Sequence, residues 1–326
     1  MHSSYTRWGI LLSLLLLLFI LNLSLGSVSI PFQDIVRILL GDSGTNTIYS
    51  DIIWDFRVTK ALTCMLAGGA LSLGGLMMQT LFRNALAGPD VLGLSSGASL
   101  LVSLLIMSQA SGISLFQDPS PWAIVIASSI GAGGVFIIVL LIARRLRDNT
   151  SLLIIGLMMG AGTASIVSVL QFLSKAEDQQ AYLLWTFGSL GSLSWLEIQT
   201  LFVVLIAGLV IGILSVKSLN AWLLGDNYAR SIGVNVGRSR LLIILSTALL
   251  TGGVTAFCGP IAFVGLAVPH LTRLIIKTHN HRVLLPAVMI GGAVLLLFCD
   301  IVAQLPGSAY VLPINAITAM IGAPVV

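Results

Sequence analysis

Long apolar runs separated by short polar links dominate the 326-residue chain. The pattern predicts helices near 8–26, 60–81, 91–108, 121–143, 151–173, 195–217, 241–258, 261–275, 283–303 and 310–326. A helix that crosses a bilayer needs about 20 predominantly apolar residues. Most of these runs meet that length; the eighth is short. The pattern changes in the link 217–240, where Leu224, Tyr228 and Ile232 recur every four residues. That spacing gives a short helix, Asn227 to Ile232, with one apolar stripe. Asp226 is its expected N-cap and Gly233 its expected C′ residue. Such a helix either docks into a groove on a soluble partner or lies on the lipid surface. The stripe alone does not choose between them.

Composition makes lipid the solvent of this chain. Apolar residues are 57% and charged residues 9%, against about 25% charged in a soluble domain. The fold class is an all-α membrane protein with about ten transmembrane helices in one domain spanning residues 1–326. The first run is long for a secretory signal, and no clear small-x-small cleavage site follows it. It therefore reads as the first crossing. Cys64, Cys258 and Cys299 lie in apolar segments, far apart in sequence, and suggest buried thiols, not a disulfide framework.

Charge orients the bundle. With the N-terminus in the cytoplasm, the inner side receives 12 of the 16 Lys and Arg residues; Arg37, Arg57, Lys60 and Lys175 fall outside. Cytoplasmic loops carry such an excess. The net charge of +4 is thus a topological signal and not a nucleic-acid surface. Trp8, Trp54, Trp122, Trp185, Trp195 and Trp222 fall near expected helix ends, as an interfacial belt predicts. Trp185 is also open to a substrate or partner contact. Glycines four apart, at 93 and 97, 156 and 160, and 208 and 212, predict close helix contacts.

The chain lacks a Gly-rich loop followed by Lys-Ser/Thr, so it is not expected to hydrolyse nucleotide. No nucleophile–base arrangement is evident. His270, His279 and His281 cluster in sequence, but without acidic or thiolate companions in the loop they read as part of a basic link. Ionisable residues deep in spans mark ion-coupled transporters. Here they are scarce: Asp300 lies near the outer end of the ninth helix, and Asp90 at the start of the third. The energy for any transport is expected to come from another subunit.

Six segments in order, "GGALSLGGLMMQTLFRNALAGPDVLGLSSGASL", "LLWTFGSLGSLSW", "LGDNYARSIGVNV", "GPIAFVGLAVPHLTRL", "NHRVLLP" and "LPINAITAMIGAPV", resemble the FecCD-type permeases of ATP-binding-cassette importers. The resemblance runs from about residue 54 to the end. It implies a homodimer of twenty helices in the bacterial inner membrane, with the path at the dimer axis. It also implies two ATPase subunits that carry ATP and Mg, and a periplasmic or lipid-anchored binding protein. This chain would hold no cofactor or metal and perform no catalysis. The cargo class would be a metal chelate: ferric siderophore, haem or cobalamin.

By the same resemblance, Leu224, Gly225, Asp226, Tyr228, Ala229, Arg230, Ile232 and Gly233 belong to the element that docks on the ATPase. Asn149 and Thr150 belong to the cytoplasmic gate. Arg57, Lys60 and Lys175 either dock the binding protein or anchor the chain at the interface. Pro260 is expected in the first turn of the eighth helix after a tight turn at Gly259, with His270 and Arg273 anchoring its inner end near the headgroups. The chain departs from the family pattern at Thr59 within "RVTK", where the family has proline, at Ala85 within "RNALA" and at Asn280. The family pattern also continues beyond "IGAP", so the tenth helix is expected to be incomplete. An ion-coupled secondary transporter is the main rival reading, and a non-transporting scaffold a second.

Overall fold

The computed structural model describes residues 2–26, 28–41, 47–89, 93–107, 120–145, 149–191, 193–304 and 311–325. Helices account for the regular structure, and no strand occurs among the described residues. In chain order they are α1 (His2–Ser24), α2 (Phe32–Leu39), α3 (Thr47–Asp51), α4 (Thr59–Phe82), α5 (Leu94–Met107), α6 (Pro121–Arg145), α7 (Asn149–Leu173) and α8 (Ala176–Thr186). Then come α9 (Trp195–Leu214), α10 (Val216–Trp222), α11 (Asp226–Ser231), α12 (Val236–Cys258), α13 (Val264–Ile276), α14 (His281–Ala303) and α15 (Ile314–Gly322).

Seven apolar segments are long enough to cross a membrane. α5, α13 and the segment Ile314–Val325 are apolar but shorter. The ten predicted runs therefore each contain a helix, three of them below the usual crossing length. α2, α3 and α8, and all but the start of α10, lie outside the predicted runs. α12 starts at Val236, before the predicted 241, because the Asn235 side chain caps it from the Arg238 amide at 3.0 Å. Arg240 then lies inside the helix and is buried.

α4 is the central helix. The segment Thr47–Phe82 is 83% buried over its apolar window, against 17% for the α7 window. Small residues explain that position, since they let backbones approach closely where lipid gives no hydrophobic drive between helices. A Cβ on Gly68 would strike the Gly292 carbonyl of α14, and one on Gly75 would strike the Gly265 carbonyl of α13. Gly97 of α5 meets Gly131 of α6 in the same way. The glycines singled out by spacing also lie at contacts: Gly93 faces Gly156 and Gly160, while Gly208 and Gly212 face α12.

Three local expectations need correction. Pro260 is not in a first helical turn; it lies in the non-helical link 259–263, and the proline inside α13 is Pro269. Gly259 does make the tight turn, with φ 74°. The short helix begins one residue earlier than expected, with Gly225 and not Asp226 at its N-cap position. Gly225 has φ 114°, a conformation open to glycine, which fixes the chain direction before the helix. Trp222 is not an interfacial residue: its side chain is fully buried. The three cysteines are buried free thiols.

Candidate functional site

Two regions stand out: an exposed apolar stripe at the end of the bundle rich in Lys and Arg, and a polar cleft toward the opposite end.

At the basic end, α10 and α11 connect α9 to α12. α10 seats itself with Leu219, Ala221 and Trp222, all buried. α11 turns its stripe outward: Leu224, Tyr228 and Ile232 are exposed, while Ala229 is fully buried beneath them. Arg230 is exposed on the last turn, and Gly233, at φ 85°, occupies the C′ position. Its amide bonds to the Arg230 carbonyl at 3.0 Å, and Val234 reaches the Ala229 carbonyl at 2.9 Å, which closes the helix. The Asp226 side chain lies outside the described residues. An exposed apolar stripe on a short rigid helix is a shape that a partner groove can take.

Below α11 the helix ends are tied by side chains. His281, the first residue of α14, is buried. Its Nε2 is 2.9 Å from Thr80 Oγ1, and its Nδ1 is 2.9 Å from Asn220 Oδ1 on α10. Its backbone amide donates to the same Asn220 oxygen at 2.8 Å. Sequence reading placed His281 in a basic loop and missed this role; its position just after the N-cap residue Asn280 is the signal that was available. Arg273 is not simply a headgroup anchor, since its Nη1 donates to Gln79 Oε1 of α4 at 2.7 Å. His270 is exposed. Gln79, Thr80, Arg273 and His281 line a recess of about 300 Å³ with Arg83 and His279.

The cleft has a volume of about 500 Å³ and lies between α5, α7, α8 and the link 259–263. Ser95, Ser96 and Ser99 line it from α5, Thr163, Ser168 and Gln171 from α7, and Tyr182 from α8. The walls are thus hydroxyl-rich and carry no formal charge. Burial pushes the Tyr182 hydroxyl above its ordinary pKa, partly offset by a hydrogen bond with Ser99, so the phenol stays neutral. Tyr182 also stacks on Trp185, with ring centroids 6.1 Å apart. The wall formed by Pro260, Ile261 and Ala262 is clamped from behind. Ala262 donates its amide to Asn315 Oδ1 at 3.0 Å, and Ser189 donates to the Cys258 carbonyl at 2.8 Å.

Asn149 and Thr150 open α7, but their side chains lie outside the described residues, as does Asp90. Of the three cations considered for partner docking, Arg57 and Lys60 are engaged within the chain. Arg57 lies in the π-helical turn Ile52–Val58 and is buried. It donates to the carbonyls of Leu23 at 2.6 Å, Ser24 at 3.1 Å, and Val28. These include acceptors that the end of α1 leaves unpaired. Lys60 pairs with Asp300 at 2.9 Å. Lys175, at the N-cap of α8, is the exposed one of the three. No group of three or more His, Cys, Asp or Glu that could hold a metal occurs among the described residues.

Comparison with known proteins places this architecture. Residues 14–326 match the FecCD transport family. The chain is 33% identical over 317 residues to the hemin transport system permease protein HmuU of Yersinia pestis, covering 97% of this chain and 92% of that one. It is 34% identical over 321 residues to the vitamin B12 import system permease protein BtuC of Salmonella typhi, covering 98% and 93%. A solved structure described as an inward-facing conformation of a metal-chelate type ABC transporter superposes with a TM-score of 0.84 at 28% identity, covering 98% and 96%. The polytopic helical chain therefore belongs to the FecCD transport family.

Proposed function

We propose that the chain is the membrane-spanning permease of an ATP-driven importer, and that two copies form the path for a metal chelate of the haem or cobalamin class. Family membership over residues 14–326 carries this reading. The exposed stripe of Leu224, Tyr228 and Ile232 supports its mechanical half. ATP and Mg bind a separate ATPase, which grips α11; closure of the ATPase pair then favours a different packing of the helices. In this reading ten helices cross the bacterial inner membrane, with α5, α13 and α15 as short crossings.

The exposed apolar face of α7, including Leu157, Met158, Ile166 and Val169, is assigned to the dimer axis. The uncharged cleft beside it suits a cargo that must pass without being held. Asn149 and Thr150 are assigned to the inner gate, and Lys175 to contact with a periplasmic or lipid-anchored binding protein. Siderophore cargo belongs to the same proposal.

Ion coupling has less support. Asp300 is the one buried acidic residue among the described residues, and its carboxylate is engaged by Lys60, Asn22 and Gln304. The test is uptake of haemin and of cyanocobalamin by proteoliposomes holding the permease, its ATPase and its binding protein. Uptake of either that needs ATP and survives collapse of the proton gradient supports the proposal. Uptake that follows the gradient and ignores ATP overturns it.

A further inference from the structure

The docking helix is attached to the bundle by more than chain connectivity. α10 joins α9 through Ser215, and reaches α11 through residues 223–225. Apolar seating by Leu219 and Trp222 holds α10 down, but apolar contact alone sets no unique register. The polar contacts do. Asn220 Oδ1 accepts from both the His281 amide and the Nδ1 side of its ring, while Asn220 Nδ2 donates to Asn280 Oδ1 at 3.1 Å. On the far side of the ring, His281 meets Thr80, whose hydroxyl also lies 2.9 Å from the Leu76 carbonyl. One imidazole thus spans α10, the first turn of α14 and the last turn of α4.

We infer that His281 is a positioning residue that locks α10 to α4 and α14, so that these three inner ends move as one body. The physical reason is cooperativity. A sliding displacement of α10 would strip the half-buried Asn220 amide of its contacts to His281 and Asn280 and leave the Nδ1 and backbone amide of buried His281 without partners together, and unpaired buried polar groups are costly. Intermediate positions are therefore disfavoured, and a load on α11 passes to the central helix instead of being absorbed by its linker. The lock is a property of this chain. Its use in transport rests on the importer reading above.

The test places spin labels on Lys217→Cys of α10 and Arg282→Cys of α14, both exposed positions, and measures their separation by pulsed electron resonance. The native cysteines are buried. In nanodiscs without partners, the parent chain gives one narrow distance distribution. His281→Leu and Asn220→Leu lose that narrow peak. Asn220→Asp keeps the accepting oxygen and retains the peak, which separates the lock from general misfolding.

A narrow peak in both Leu variants overturns the lock. In the second arm the ATPase and ATP are added: the α10–α14 distance in the parent chain stays fixed, whereas in His281→Leu it shifts. A shift in the parent chain as large as in His281→Leu overturns transmission through His281. Failure of any ATPase to bind overturns the importer reading and leaves the first arm to decide the lock.

Discussion

Lys60 Nζ lies 2.9 Å from Asp300 Oδ1, joining the start of α4 to the end of α14. Asn22 of α1 and Gln304 each donate to the other carboxylate oxygen at 2.7 Å. Three separated stretches of the sequence, at Asn22, at Lys60 and at Asp300 with Gln304, are thereby closed around one buried charge. The Arg57 contacts to the end of α1 lie beside this cluster, so the end of α1, the start of α4 and the end of α14 form one tied corner.

Removing one partner of this pair should be costly. Lys60→Met leaves Asp300 buried without its cation, and breaking a buried pair typically costs about 3–5 kcal/mol. The double variant Lys60→Met with Asp300→Leu should recover much of that loss. Thermal unfolding in mild detergent gives both values; equal destabilisation by the single and double variants would contradict the account.

The central crossing of α4 gives a packing prediction. Gly75→Ala drives a methyl into the Gly265 backbone carbonyl, which cannot rotate aside. Overpacking of this kind costs about 1–3 kcal/mol. Gly134→Ala, where nothing lies within 4 Å of the added carbon, serves as the control. Its effect should stay within about 0.5 kcal/mol. Unfolding midpoints of the two variants should differ clearly, with Gly75→Ala the lower.

The docking assignment of α11 predicts a loss of partner binding without a loss of fold. Tyr228→Asp together with Ile232→Asp places two charges on the exposed stripe. Association with the ATPase should weaken at least about 30-fold, the effect of losing one hot-spot contact, while the unfolding midpoint is nearly unchanged. Titration of the ATPase against immobilised permease measures it, and unaltered binding would remove α11 from the interface.

The cleft and the gate predict obstruction. Thr163→Trp fills the hydroxyl-lined cleft, and Thr150→Trp adds bulk at the start of α7. Each should abolish most uptake of a bulky chelate while ATPase binding persists. Unchanged uptake in Thr163→Trp would show that cargo does not use the cleft.

Much of this architecture was legible because lipid imposes a simple pattern. Apolar length located the helices, and Gly93, Gly97, Gly156 and Gly160 marked close contacts through spacing alone. The buried polar links were not legible, because their partners lie far apart in sequence: His281 meets Thr80 across 201 positions, and Asn22 meets Asp300 across 278. Basic residues near helix ends misled for a related reason. Arg57 and Lys60 looked like surface cations, yet local chain direction turns them onto carbonyls and a carboxylate. Pro260 falls outside the helix because the link 259–263 is held by contacts far off in sequence, Ser189 on the Cys258 carbonyl just before the link and Asn315 of α15 on the Ala262 amide, and these are invisible to local pattern.

The central claim is that this chain transmits work done by a separate ATPase. Its most direct test is purification of the chain from its native host in mild detergent after crosslinking, with quantitative mass spectrometry of the copurifying proteins. The account predicts an ATP-binding-cassette ATPase at one copy per permease, lost in the Tyr228→Asp, Ile232→Asp variant. A stable self-assembly with no ATPase, even after crosslinking, would contradict it.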